Sequence, residues 1–203
     1  GDMLFGGGSH RWVEEAIAFT EDDPSVLLTG PFPGPPAADA VIHGHGLPEP
    51  QRIEVAGAPA YRFQTASTRI FMLDMERLRE TLGVLPLLPP GPVQRLKSHV
   101  LGHPPLAREA EVILGEVLRM HGLYRVDLLG SGPGLWSLHP PYRGAAFYRQ
   151  LPEVIAAVEA GTLPAAQCGH YDIHDSVIDW SDQRAATRRH KRWLRMAKDR
   201  LRR

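Results

Sequence analysis

Apolar residues recur at helical spacing in three stretches of the chain. The clearest stretch begins at Ala110 and ends at Gly122. In it, apolar residues recur at every third or fourth position. A second helix is predicted after Ser9, a residue suited to helix capping, and ends by Asp22. A third is predicted over residues 152–161. The apolar faces of these helices are predicted to carry Ala110, Ile113, Leu114, Val117 and Leu118; Trp12, Val13, Ala16 and Ile17; and Val154, Ile155 and Val158.

Short apolar runs between these helices predict strands. Residues 25–29 and 124–129 have the character of buried strands. The β-branched and aromatic residues of 61–73 predict a strand pair or one bent strand, followed by a short helix that Asp74 caps and that ends near Leu82. Helices and strands therefore alternate, which indicates an α/β fold. Two stretches rich in Pro and Gly are predicted to be long loops: residues 30–60 and 83–105.

Composition excludes several classes of protein. Of the 203 residues, 43% are hydrophobic and 23% charged, which is too apolar for a disordered chain. No stretch approaches the roughly 18 consecutive apolar residues that a membrane-spanning helix needs. Cys168 is the one cysteine, so a disulfide framework and a cysteine-based zinc site are excluded. We expect a cytoplasmic protein.

Charge is divided unevenly along the chain. Residues 184–203 hold ten of the 23 Lys and Arg residues but a single acid, Asp199, which leaves 13 basic and 22 acidic residues elsewhere, a formal charge of −9. An amphipathic helix is predicted here, with Trp193 and Met196 near one side. Such a helix can pack on its own domain or make peripheral contact with an acidic membrane.

Four separated residues are candidates for chemistry. Asp2 follows a presumed strand end, where α/β proteins bind ligands, and a carboxylate there suits a hard divalent cation. Glu111 lies in the first turn of the clearest helix, where it either stabilises the helix dipole or acts as a general base. His139 can complete a metal site or be a structural hydrogen-bonding residue. Arg143 can hold a phosphate or carboxylate.

The densest polar segment is a second candidate site. If this segment is helical, His170 and His174 share one face at the i, i+4 spacing of paired metal ligands. The acids Asp172 and Asp175 lie beside them, although no Glu follows the first His as in the H-E-x-x-H motif. His43 and His45 form another candidate pair within a Gly- and Pro-containing loop.

Taken in order, these features resemble the second half of a family-2 glycosyltransferase of the GT-A fold. The family's D-x-D signature ends a strand before a loop of small residues; Asp2 matches its second Asp, and the first would precede Gly1. The run 67–74 resembles the acceptor-side strand. Glu111 matches the catalytic carboxylate at the start of a helix, with Ala110 departing from the usual Glu, and His139 matches the histidine after a later strand.

The resemblance covers about residues 1–143 and carries its own expectations. It implies a partial GT-A-like (Rossmann-like) mixed sheet flanked by helices. Beyond it, we expect a helical C-terminal extension, with residues 144–183 followed by the basic helix 184–203. The resemblance also implies a nucleotide-sugar donor, a carbohydrate, lipid-linked or other hydroxyl acceptor, and Mg²⁺ or Mn²⁺ on the donor's diphosphate.

Each matched residue takes a role from the resemblance. Asp2 and His139 would help to hold the metal ion, Asp2 and Arg143 would contact the donor, and Glu111 would accept the acceptor's proton in an inverting displacement. Because the nucleotide-binding half would precede Gly1, this part alone is expected to be inactive.

Two further hypotheses remain open. One is a metal-dependent hydrolase that uses His170, Asp172, His174 and Asp175, with His43 and His45 as additional ligands. The other is a non-catalytic module whose basic tail binds anions, with affinity that falls steeply as salt rises. Nucleic acid is not an expected partner of the transferase.

Overall fold

The computed structural model describes residues 3–45, 48–84, 89–102 and 108–188. Asp2 and most of the predicted basic helix, residues 189–203, lie outside the described residues. The elements in chain order are β1 (Leu4–Gly6), α1 (Trp12–Asp22), β2 (Val26–Pro33), β3 (Gln51–Val55), β4 (Ala58–Phe63), β5 (Met72–Leu73), α2 (Met75–Leu82), α3 (Pro92–Leu101), α4 (Ala110–His121), β6 (Tyr124–Leu128), β7 (Trp136–Leu138) and α5 (Ala145–Glu159). A 3₁₀ turn, Ala165–Gln167, follows α5.

The described chain divides into two compact units. We call residues 7–33 and 45–136 the sheet unit, and residues 3–6, 34–44 and 137–188 the C-terminal unit. The predicted division at residues 143 and 184 stays a prediction.

The sheet unit contains a mixed sheet. Strands β2 and β6 are parallel, with Gly30 opposite Asp127. Strand β5 pairs with β2, β4 with β6 and β3 with β4, and each of these pairings is antiparallel. Helices pack on this sheet, so the structure confirms the predicted α/β class.

Two apolar clusters stabilise the sheet unit. In the first, Trp12 and Ala16 of α1 pack on Val126 and Leu128 of β6. The indole Nε1 of Trp12 also donates to the carbonyl of Leu128 (2.9 Å), so the ring is held by a hydrogen bond as well as by burial. The second cluster joins β2 to α2 and α4 through Leu27, Leu28, Leu78, Val117, Leu118 and Leu123.

Several predicted helix boundaries are confirmed. The carboxylate of Asp74 accepts the Arg77 N–H (2.9 Å) and caps α2, which ends at Leu82. Helix α4 ends where Gly122 adopts a left-handed conformation. The predicted cap of α1 is wrong, because Arg11 takes the N-cap position and the Ser9 N–H instead donates to the carbonyl of Gly134.

Both predicted long loops contain regular structure. Within 30–60, β2 continues to Pro33, and β3 and β4 form a hairpin. Ala56 (φ +51°) and Gly57 (φ +77°) make the two-residue turn, and positive φ at both central positions matches the twist of the flanking strands. Within 83–105, Pro92 opens α3, an N-terminal position where its missing N–H costs nothing.

The third predicted helix begins earlier than expected. Helix α5 starts at Ala145 and contains Pro152, so that proline does not open the helix. The expected inward residues are only partly inward, because Val154 is buried whereas Ile155 is 38% exposed.

Fixed backbone contacts bring three segments of the C-terminal unit together. The N–H of Gly169 donates to the carbonyl of Pro35 (2.8 Å), and its own carbonyl accepts the His43 N–H (2.9 Å). The Gly34 N–H donates to the carbonyl of Ser137 (3.0 Å). The segment after the 3₁₀ turn is therefore tied to residues 34–44, next to the end of β7.

Gly169 provides a test of this packing. Its φ is +71°, and a Cβ there would overlap the carbonyl oxygen of Val41. Gly161 has a similar φ of +64°, but a Cβ there would meet no heavy atom within 4 Å. We expect Gly161→Ala to cost about 1–2 kcal/mol of unfolding free energy, the strain of the left-handed conformation alone, and Gly169→Ala to cost clearly more. Urea unfolding of both variants measures this, and equal losses would contradict the packing.

Candidate functional site

The structure places Glu111 at the start of α4 in the sheet unit. Its Oε1 accepts two hydrogen bonds from Thr68, one from the backbone N–H (2.8 Å) and one from the hydroxyl (3.1 Å). The side chain is half-buried. One carboxylate oxygen is thus held in place by the backbone N–H and the hydroxyl of Thr68.

His139 and Arg143 both lie in the C-terminal unit, after β7. The His139 side chain is 15% exposed, and its Nδ1 lies 3.4 Å from Oδ1 of Asp172. Arg143 is exposed between β7 and α5. The structure therefore brings His139 close to Asp172, a pairing that the sequence analysis did not predict.

The segment from His170 to His174 is not helical, so the condition for the i, i+4 arrangement is not met. The rings nevertheless meet. His43 stacks on His170 with centroids 4.7 Å apart, and the centroid of the His174 ring is 4.9 Å from that of His170. Burial lowers the pKa of His170, and repulsion by His43 and His174 adds to that effect while Asp172 opposes it.

The two acids of the hydrolase hypothesis, Asp172 and Asp175, contact different residues. Asp175 accepts two hydrogen bonds from the Arg184 guanidinium, both 2.7 Å, and these hold its pKa below the usual value. Asp172 lies beside His139 instead. Over residues 3–45, 48–84, 89–102 and 108–188, no three His, Cys, Asp or Glu side chains are placed to hold one metal ion.

Gln167 was missed by sequence reasoning, although its amide organises the histidine segment. The side chain has no exposed surface. Its Nε2 donates to the carbonyls of His170 (3.0 Å) and Asp172 (3.2 Å), and its Oε1 accepts the His174 N–H (2.8 Å). A glutamine between Ala and Cys gives no sequence signal of burial, because only the folded backbone supplies its three partners.

A buried ion pair in the sheet unit was also missed. Arg125 and Asp127 alternate with apolar residues on β6, so they share one face of the strand. The Arg125 Nη2 donates to Asp127 Oδ2 (3.1 Å), and its guanidinium lies 4.1 Å from the Phe63 ring centroid. Burial raises the pKa of Asp127, and Arg125 opposes that rise. A Cβ on Gly30 would come within 2.8 Å of Asp127 Oδ1, so the glycine makes room for the carboxylate.

The loop after β6 is fixed by a carboxylate from α1. Glu15 accepts the Ser131 N–H (2.8 Å) and the Ser131 hydroxyl, and these bonds hold the pKa of Glu15 below its usual value. The structure thus uses this glycine-containing loop for an internal contact.

Comparison of the chain with protein-family models, curated protein sequences and solved structures finds no match. Among the described residues, no helix is both long enough and apolar enough to cross a bilayer.

The buried pair predicts a non-additive mutational response. Arg125→Met should cost about 3–5 kcal/mol of unfolding free energy, because it leaves the Asp127 carboxylate buried without its cation. The double variant Arg125→Met with Asp127→Leu should regain most of that loss, since both charges are then gone. Urea unfolding of the wild type, both single variants and the double variant measures the coupling. Simple additivity of the two single losses would argue against a buried pair.

Glu15 predicts a pH dependence. Because its pKa is lower in the folded than in the unfolded state, its contribution is present above the usual value of 4.5 and is lost as pH falls through the folded pKa. Glu15→Gln should therefore flatten the acid side of the stability curve. Glu14→Gln, on the adjacent exposed position, is the control and should leave that side unchanged. Urea midpoints across the acid range report the slope, and identical curves for Glu15→Gln and wild type would refute the assignment.

Proposed function

We propose that the chain is the acceptor-side part of an inverting, metal-dependent GT-A glycosyltransferase. The supporting observation is the state of Glu111. Glu111 lies in the first turn of a helix, and one oxygen of its carboxylate is anchored by the N–H and the hydroxyl of Thr68. A general base needs such a fixed position, because the proton must find its acceptor without reorganisation of the site.

The proposed reaction is a direct displacement at the anomeric carbon. The acceptor hydroxyl oxygen forms a bond to that carbon while its proton moves to Glu111. The bond between the carbon and the diphosphate oxygen breaks, and its electron pair leaves with the nucleoside diphosphate. Attack opposite the leaving group inverts the configuration at the carbon.

The proposal assigns a divalent cation, Mg²⁺ or Mn²⁺, to the donor's diphosphate. When bound, the cation would supply Lewis-acid stabilisation of the departing charge. Of the two expected ligands, His139 is described and retains an accessible part of its ring, whereas Asp2 lies outside the described residues. An imidazole beside carboxylate and phosphate oxygens is a donor set that Mn²⁺ accepts. Arg143, exposed after the same strand, is proposed to meet the donor's phosphates.

The hydrolase hypothesis uses different residues. Measurement of bound metal distinguishes it from the transferase proposal. The hydrolase hypothesis requires stoichiometric metal that is lost in His174→Ala. The transferase proposal requires metal retention in that variant. The anion-binding hypothesis requires salt-sensitive affinity that disappears when residues 184–203 are removed.

Glu111 carries the test of the proposed function. The assay follows release of nucleoside diphosphate from a panel of nucleotide sugars, using the complete gene product because the proposal includes a donor-binding half ahead of Gly1. We expect Glu111→Gln to lower kcat by about 10²–10⁴-fold, the usual contribution of a general base. Substrate binding should change little, because the amide keeps the shape of the side chain.

Glu109→Gln is the matched control. Glu109 is the exposed N-cap residue of the same helix and makes no side-chain capping bond, so its variant should stay near the wild-type rate. Equal losses in both variants would indicate a general helix effect. Failure of the complete protein to turn over any nucleotide sugar would reject the proposal.

A further inference from the structure

The two ring nitrogens of His139 have different surroundings. Nδ1 is buried and makes no hydrogen bond of standard geometry with the described residues, although the side chain as a whole is 15% exposed. The accessible part of the side chain therefore excludes Nδ1. A ligand that coordinates a ring nitrogen of this imidazole from solvent has to use Nε2.

A ligand-binding Nε2 requires a particular tautomer. A neutral imidazole carries one proton, so a lone pair on Nε2 places the proton on Nδ1. A buried N–H needs an acceptor, because leaving it unsatisfied costs about 1–3 kcal/mol. Oδ1 of Asp172, at 3.4 Å, is the carboxylate oxygen placed to receive it after a small shift.

The backbone sets this pairing. The His139 N–H donates to the carbonyl of Tyr171 (3.0 Å), and the His139 carbonyl accepts the Ile173 N–H (2.9 Å). These two bonds form a parallel bridge between His139 and Asp172. The two side chains consequently leave the backbone side by side, whatever their side-chain torsions.

Buried contacts hold the bridging segment from behind. Gln167 bonds the backbone on both sides of Tyr171, through the carbonyls of His170 and Asp172. Ile173 is 1% exposed, and its carbonyl accepts the indole N–H of the buried Trp180 (2.8 Å). The segment carrying Asp172 is thus fixed by buried side chains on both sides of Tyr171.

We propose that Asp172 is a positioning residue that keeps the proton of His139 on Nδ1 and so presents the Nε2 lone pair to a ligand. Carboxylates commonly orient metal-binding histidines in this way. The identity of that ligand, the cation on a donor's diphosphate, rests on the proposed function. The tautomer of His139 and its cause, the contact with Asp172, are independent of the proposed function.

Nuclear magnetic resonance of the imidazole nitrogens tests the proposal directly. The complete chain is labelled with ¹⁵N, and spectra are recorded over a pH series that extends well above about 6.5, the usual pKa of a histidine side chain. His139→Gln identifies the His139 signals. We expect protonated Nδ1 and unprotonated Nε2 in the wild type, and a shift of the population towards the Nε2–H tautomer in Asp172→Ala.

Two further variants keep the test decisive. Asp172→Asn retains an acceptor oxygen and should preserve much of the Nδ1–H population. Asp175→Ala removes a nearby carboxylate that bonds Arg184 and should leave the His139 tautomer unchanged. Dispersed amide signals show that each variant is folded. An Nε2–H tautomer in the wild type, or the same tautomer in wild type and both Asp172 variants, would overturn the proposal.

Addition of Mn²⁺ alone separates this inference from the proposed function. Selective paramagnetic broadening at His139 Nε2 would support both. A correct tautomer pattern without broadening would support the role of Asp172 and count against the metal assignment of the proposed function.

Discussion

The conformation of residues 170–174 depends on one buried amide. This segment belongs to neither a helix nor a regular strand, and isolated bridges to His43 and His139 pair only part of its backbone. Gln167 supplies two donors and one acceptor from a position without solvent exposure. A buried amide costs free energy unless its N–H and carbonyl groups are hydrogen-bonded. The Gln167 amide therefore needs the backbone groups of this segment, and those backbone groups need the amide. The contacts of His43 with His170 and of His139 with Asp172 both depend on these hydrogen bonds of Gln167.

In the sheet unit, too, buried polar groups must be paired, but there the groups are charged side chains and not an amide. Arg125 and Asp127 occupy positions of β6 where apolar residues would pack with no penalty, and burial opposes the charged form of Asp127. The neighbouring strand accommodates them through Gly30, which lacks a side chain, and β4 contributes the face of Phe63. A pair that demands this much accommodation restricts how β2, β4 and β6 can be arranged.

Local signals explain what the sequence predicts well. Helix α4 combines a continuous apolar stripe with a glycine end, and α2 has a capping aspartate, so both are recognisable from nearby residues alone. The missed hairpin has Ala56 at positive φ, which is uncommon for that residue, and its strands lie in a stretch dominated by Pro and Gly. In α3, Val93, Leu96 and Val100 are exposed, so its apolar residues do not mark a buried face. Pro152 is misleading because it lies inside α5, although proline usually stands at the first position of a helix.

Some features of the candidate site follow from local sequence patterns, whereas others are visible only in the folded structure. Glu111 was identifiable because helix position gives a carboxylate a role, whereas the contact between His139 and Asp172 spans residues that no spacing rule connects. That contact also changes how the histidine segment is interpreted. A hydrolase would need its histidines and acids to converge on one ion, yet Asp175 bonds Arg184 and Asp172 lies beside His139. Gln167 bonds the backbone of His170, Asp172 and His174, so the segment presents Asp172 to His139 in a fixed position. The segment is therefore better suited to support His139 than to form a separate catalytic centre.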